Sequence, residues 1–484
     1  MYLGLDLGTS GVKAMLIDGD QAVIGVGHAA LDVSRPHPGW SEQDPLDWIR
    51  ATREAVGALK AAHGAALAAV KGIGLSGHMH GATLIDTADQ VLRPCILWND
   101  TRSHVEAAAM DADPRFRAVT GNIVFPGFTA PKLAWVAKHE PEIFARVAKV
   151  LLPKDFLRLW LSGEYLSDMS DSAGTAWLDT GRRCWSGELL AATGLCEDQM
   201  PRLVEGTERA GVLRTQLAGE WGMGDSVVIA GGAGDNAASA CGMGTVAEGQ
   251  AFVSLGTSGV LFAANGSYLP KPESAVHAFC HALPNTWHQM GVILSATDAL
   301  NWLSGVTGKP AGALTGELGD DLHAPGSVTF LPYLSGERTP HNDARIRGAF
   351  IGLGHESARA VLTQAVLEGV TFAIRDNLEA LRSAGTEISR VTAIGGGSRS
   401  RYWLASIATA LGIPVDIPAD GDFGAAFGAA RLGLIAATGA DPLSVCTAPK
   451  TAGTIEPVAA LTGAYEEAYG RYRALYPAIK SLAH

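Results

Sequence analysis

Residues 7–12 read LGTSGV, and residues 255–260 read LGTSGV again. Each copy follows an apolar run with strand character and leads into another, at residues 12–17 and 260–263. Strand, glycine-bearing turn and second strand make a β-hairpin. A hexapeptide repeated about half a chain apart points to a duplicated unit. The two halves are therefore expected to begin alike. A chain of 484 residues is also too long for one hydrophobic core. We expect two lobes, 1–245 and 246–484, with a cleft between them.

Outward from the first copy, Asp44 and Pro45 supply an N-cap and a first-turn proline. The helix they start runs to about residue 62, with Trp48, Ile49, Ala55, Val56 and Leu59 as its apolar stripe. A strand near residues 73–75 ends in SGHMHG, and another, at 95–98, ends in NDTR. A third, at 227–230, leads into GGAGDNAAS. In the second half a strand at 391–394 precedes GGGSRSR, and helices follow at about 402–411 and 423–438. Residues 440–484 read as a polar tail with one or two helices. This alternation predicts an α/β fold with ligands gathered on loops beyond the strand ends.

Composition narrows the function. With 47% hydrophobic and 18% charged residues and 59 glycines, the chain has the make-up of a well-buried enzyme rich in tight turns. Its net charge of -12 carries no basic stripe, which argues against nucleic acid and anionic membrane surfaces as partners. Cys95, Cys184, Cys196, Cys241, Cys280 and Cys446 are far apart and show no metal-ligand spacing. The N-terminus opens directly into a strand, and no apolar run reaches about 18 residues, so a cytoplasmic location is expected.

Glycines in GTSG let backbone N–H groups approach a polyanion, and the hydroxyls of Thr9 and Ser10 add donors. One such turn alone reads first as an ordinary tight hairpin. Two, facing each other across a cleft, could hold a triphosphate from both sides. Asp6 precedes the first copy and Ser254 the second. A carboxylate beside a phosphate grip is tolerated when a cation stands between, which makes Asp6 a candidate for holding Mg²⁺; capping the hairpin is its other reading. Lys13 could add positive charge near the phosphates. Asp235 follows a glycine-rich strand end and precedes Asn236 and small residues. There it can take the proton of an attacking hydroxyl, or merely cap the next helix. Met79 and His80 offer an apolar and a polar contact for a polyol, near Trp98, Asn99 and Asp100. His78, His80, His277 and His281 lack the partners that would complete a metal site. GGGSRSR could lie against a purine ring with Arg401 beside the nucleotide.

These residues resemble the FGGY carbohydrate kinases, within the actin, hexokinase and heat-shock ATPase superfamily. DLGTSGVK at 6–13, SLGTSG at 254–259 and the glycines at 395–397 match that superfamily's two phosphate motifs and its adenosine motif. GFTAPKLAWVAKH at 127–139 fits the family's first pattern, with Lys132 and Trp135 in place. GAFIGLGHESARAVLTQAVLE at 348–368 fits the second except at Val361, where the family usually has a polar residue. SRPHPGWSEQDP, GHMHGATL, ILWNDTR, LLPKDFLRL, SDMSDSAGTAWLD and LPYLSGERTPH look like the bacterial xylulokinase branch.

The resemblance implies a ribonuclease H-like core in each lobe, ATP with Mg²⁺, and a homodimer. It implies Asp235 as proton acceptor and D-xylulose held by Met79, His80, Asp235 and Asn236. Asp6 would lie near the metal. Nucleotide contacts would come from Thr9, Ser10, Lys13, Thr257, Asn301, Gly397 and Arg401. The rival readings are a kinase for ribulose, gluconate or glycerol, and a non-catalytic sugar- and ATP-binding regulator.

Overall fold

The computed structural model describes residues 1–419, 421 and 423–482. In the first half, β1 (Tyr2–Gly8) pairs antiparallel with β2 (Gly11–Ile17), and β2 with β3 (Val23–Ala30). On its other side β1 runs parallel to β4 (Gly72–Gly77), which runs parallel to β5 (Val228–Ala230). The second half repeats this arrangement with β6 (Gln250–Leu255), β7 (Gly259–Asn265), β8 (Trp287–Ile293), β9 (Arg390–Ile394) and β10 (Val415–Pro418). There β6 pairs antiparallel with β7, β7 with β8, and β6 runs parallel to β9 and β9 to β10. Both sheets thus have the order 3-2-1-4-5 and the same directions. This is the ribonuclease H-like α/β architecture expected of two related lobes.

The two hairpins differ in one detail. In the first, Gly8 faces Gly11, so Thr9 and Ser10 form a two-residue turn. In the second, Leu255 faces Gly259, so Gly256, Thr257 and Ser258 form a turn one residue longer. Identical hexapeptides thus close with different registers.

Helices pack on both sheets. Asp44 caps α1 (Pro45–Ala68) by accepting from the Leu46 N–H at 2.9 Å, as its sequence position predicts. The helix buries Trp48, Ala51, Thr52, Ala55, Val56 and Leu59 against the first sheet. Helix α2 (Pro153–Ser162) lies beneath β4, and α3 (Asp235–Met243) begins where the chain leaves β5. Helices α4 (Thr297–Thr307) and α5 (Arg401–Leu411) flank the second hairpin.

Helix α6 (Ala425–Thr438) belongs to the second half of the sequence, yet it packs across β1, β4 and α3 of the first. Glycines allow this close approach. A Cβ at Gly4 would stand 1.9 Å from the Ala426 carbonyl oxygen, and one at Gly74 would stand 1.8 Å from that of Ala429. From the helix side, a Cβ at Gly428 would meet the Ala238 oxygen at 1.7 Å. The stretch after residue 440, expected as a polar tail, is structural. Thr451–Ile455 adds an antiparallel edge to β10, and α7 (Thr462–Lys480) buries Tyr465, Tyr469 and Tyr472 in the second core. Its apolar contacts are tyrosine rings spaced three and four apart, a pattern that polar neighbours disguise.

Candidate active site

Asp235 is the first residue of α3, and Gly234 occupies the N-cap position. The carboxylate therefore stands one residue past the N-cap, where it still meets a first-turn N–H of the helix. Its Oδ1 accepts from the Asn236 backbone N–H at 2.7 Å and from the Asn236 side-chain amide at 3.0 Å. Burial and the nearby charge of Asp6 push its pKa up to about 6, against the pull of those two bonds. Asp6 lies in β1, opposite Lys13 of β2 and Ser76 of β4. Burial raises its pKa too, with Ser76 and Lys13 opposing. Asp235 thus feels the field of a carboxylate 229 positions away in the chain, at the end of the first sheet.

Met79 packs against the turn that carries Asp235. A Cβ at Gly234 would come within 2.9 Å of the Met79 side chain, so any larger residue there would displace Met79. His80 follows, at φ 69°. Its carbonyl accepts from Lys132 Nζ at 2.7 Å and from the Thr129 hydroxyl at 3.2 Å, which hold the backbone in this left-handed conformation. Its Nδ1 is 2.7 Å from the Gly174 carbonyl, and its ring stacks on Phe128 at 4.8 Å. Burial and Lys132 depress the His80 pKa to about 3, so the ring is neutral. His80 opens onto a cavity of about 270 Å³, shared with Trp98, Asn99, Asp100, Phe125 and Phe128 of the first half and with His277 and Arg338 of the second. Among the described residues no histidine, cysteine and carboxylate cluster could hold a metal.

The cavity adjoins the first hairpin. Trp98 Nε1 donates to the Thr9 hydroxyl at 3.0 Å, and Gln43 Nε2 donates to the Thr9 carbonyl at 2.8 Å. Ser10 is exposed at the turn, and Lys13 is half-buried. In the second half, Thr257 exposes its side chain while its carbonyl accepts from the Ala296 and Asp298 N–H groups at 2.8 and 3.2 Å, tying that hairpin to α4. Beside it lies a cavity of about 470 Å³ lined by Thr297, Asn301, Gly397, Arg399 and Trp403, among others. A Cβ at Gly397 would stand 2.8 Å from Leu255 and 3.0 Å from Trp403, so this backbone forms a flat wall. Arg401 opens α5 and is exposed; the arginine on the cavity wall is Arg399.

The models of the FGGY family of carbohydrate kinases match residues 1–242 with its N-terminal domain and residues 251–437 with its C-terminal domain. The chain belongs to the FGGY family of carbohydrate kinases. Xylulose kinase of Escherichia coli (strain K12) is 52% identical to it over 441 residues, covering 90% of each chain. Xylulose kinase of Bacillus subtilis (strain 168) is 33% identical over 498 residues, covering 99% of this chain and 97% of the relative. The crystal structure of a "xyloylose kinase" from Brucella ovis is 73% identical, covers 99% of both chains and superposes with a TM-score of 0.99. That of xylulose kinase from Rhodospirillum rubrum, 29% identical, covers 100% of this chain and 99% of the other, with a TM-score of 0.93.

In this FGGY kinase several supporting residues went without a role in the sequence reading, although the stretches holding them were noted. Lys154, from LLPKDFLRL, is fully buried among Asp155 at 2.6 Å, Asp168 at 2.6 Å and Asp171 at 3.2 Å. Asp168 accepts from the Ser170 hydroxyl, whose oxygen receives the Gly234 N–H at 3.1 Å, and Arg158 donates to the Gly231 carbonyl. This network fixes the kinase's 231–235 turn from below. A lysine among acidic residues reads as surface in sequence, and only its burial shows otherwise.

Proposed function

We propose that the chain transfers the γ-phosphoryl group of ATP to the terminal hydroxyl of D-xylulose, giving D-xylulose 5-phosphate and ADP. The observation that carries this is the Asp235 carboxylate. Its pKa stands near 6, it lies beside Met79, and it shares its electrostatic environment with Asp6 of the first hairpin. The identity to chains named xylulose kinase supplies the sugar. Asp235 accepts the hydroxyl proton as the oxygen–phosphorus bond forms and the bond to the β-phosphate oxygen breaks. A carboxylate with a pKa near 6 is largely ionised at neutral pH, yet a better base than an ordinary aspartate.

Met79, His80 and Asn236 orient the ketose. Thr9, Ser10, Lys13 and Thr257 bind phosphate oxygens, and Asn301 and Gly397 border the nucleoside; Arg401 stays in that set through the family resemblance alone. Mg²⁺ fits the donor set, because a buried aspartate facing a second carboxylate gains from a cation between them and Mg²⁺ commonly takes one or two carboxylates plus phosphate oxygens. Asp6 would hold it, and it would neutralise charge on the phosphates. Homodimeric assembly and a cytoplasmic location complete the proposal. Among the described residues no helix is long and apolar enough to cross a membrane.

Coupled ADP release over D-xylulose, D-ribulose, gluconate and glycerol, with the product identified by NMR, tests the reading. D-Xylulose should give the highest kcat/KM. A higher value for another sugar replaces the substrate, and no phosphorylated product on any of the four leaves the non-catalytic regulator standing.

A further inference from the structure

The sugar cavity has one fixed positive charge on its wall, and it comes from the second half of the chain. Arg338 belongs to LPYLSGERTPH, a stretch pinned to β8 by the Thr339 N–H to the Val292 carbonyl at 3.1 Å and by the Val292 N–H to the Thr339 hydroxyl at 3.1 Å. Its guanidinium lies over the Phe125 ring at 4.5 Å. Among the described residues that guanidinium has neither a hydrogen bond nor an ion pair; its backbone N–H is the group that reaches Glu337, at 2.7 Å. A guanidinium only donates, so an uncommitted one at a cavity wall selects an acceptor.

Several carbonyl and carboxylate acceptors around it are already taken, whereas ring nitrogens of His80 and His277 are not. The carbonyl of Pro126 accepts from Ser103 at 3.1 Å, that of Gly127 from Lys132 at 2.6 Å, and that of His80 from Lys132 and Thr129. The Asp100 carboxylate is filled by Arg102 and by the Ser41 N–H at 2.6 Å. Phe125 and Phe128 supply faces without hydrogen-bonding groups. A hydroxyl placed against Arg338 would also have to place its own hydrogen, for which the ring nitrogens of His80 and His277 are the acceptors at hand. A carbonyl oxygen has none to donate.

We infer that Arg338 reads the carbonyl oxygen of an open-chain ketose and so sets the preference for ketose over alditol. This rests on the proposed sugar-kinase reading of the same cavity. Arg338 acts here as a specificity residue, contributed across the cleft, and takes no part in the proton transfer.

The test compares D-xylulose with the two pentitols that reduction of its carbonyl would give, xylitol and D-arabinitol, each read as a substrate or as a competitive inhibitor. In Arg338→Met, which keeps most of the apolar stem over Phe125, the ratio of ketose to pentitol kcat/KM, or of their affinities, should fall about 10- to 100-fold. The change should sit in KM for the ketose, with KM for ATP within about twofold, and Arg338→Lys should restore part of the ratio. An unchanged ratio, whether both sugars weaken together or neither does, overturns the inference. So does a wild-type preference for gluconate that Arg338→Met abolishes, because the arginine would then be reading a carboxylate. A wild-type protein inert on D-xylulose would fail the functional reading itself, and this inference with it.

Discussion

Asp235 and Asp6 put a conflict at the residue scale, since burial raises both carboxylates above their ordinary range and the charge of Asp6 raises Asp235 further. For Asp235 the signs can be worked out. As a base it must be ionised, so kcat/KM should fall with unit slope as pH drops below about 6. For stability, a raised folded pKa favours the fold below the unfolded value near 4, and that contribution is lost as pH rises through 6. Asp235→Asn should therefore lower kcat by about 10²-fold or more. It should also raise the melting temperature by about 1–3 °C at pH 8, a gain that disappears by pH 4. Stopped or coupled assays and thermal melts at the two pH values check both halves. Asp6→Ala should lower the rate and raise the Mg²⁺ concentration needed for half-maximal activity; an unaltered Mg²⁺ titration would remove the metal role. Asp235 and Met79 were legible in sequence, because glycine-rich strand ends announce loops at a site. Arg338 and His277 were not, because nothing local says that they cross the cleft to meet His80.

At the scale of elements, glycine has two opposite roles. Gly74 lets β4 touch α6, where a methyl group would overlap the Ala429 carbonyl. Gly57 sits exposed inside α1 with open space around it. Gly74→Ala should destabilise by about 3 kcal/mol or leave little soluble protein, since backbone cannot yield as a side chain does. Gly57→Ala should stabilise by about 0.5–1 kcal/mol through helix propensity and a less free unfolded chain. Urea titration of the two variants separates them. The strands at 2–7, 12–17, 73–75, 227–230, 260–263 and 391–394 and helix α5 were legible to within about two residues from apolar periodicity and caps, and α1 up to its last six residues; β3, β8 and β10 were not read. The strand at Thr451–Ile455 was not, because four of its five residues are exposed and its pairing with β10 comes from main-chain hydrogen bonds.

For the whole molecule, the cavity at His80 takes walls from both halves, whereas the cavity beside the second hairpin is built from the second half. Binding at a cavity with walls on two lobes favours their approach. Small-angle scattering should therefore show a smaller radius of gyration with D-xylulose and a non-hydrolysable ATP analogue together than with the analogue alone. An identical radius would mean that the lobes do not close on the sugar. The repeated LGTSGV, the two-lobe plan and the hairpin character of each copy follow from sequence alone, because glycine turns between apolar runs act over a few residues and need no distant partner. Tertiary structure decided the rest. It made the turns unequal, carried α6 back onto the first sheet, brought Arg338 to the cavity at His80 and placed Asp235 within the field of Asp6. Each of these depends on contacts between residues far apart in the chain and on the burial those contacts create, which no local pattern encodes.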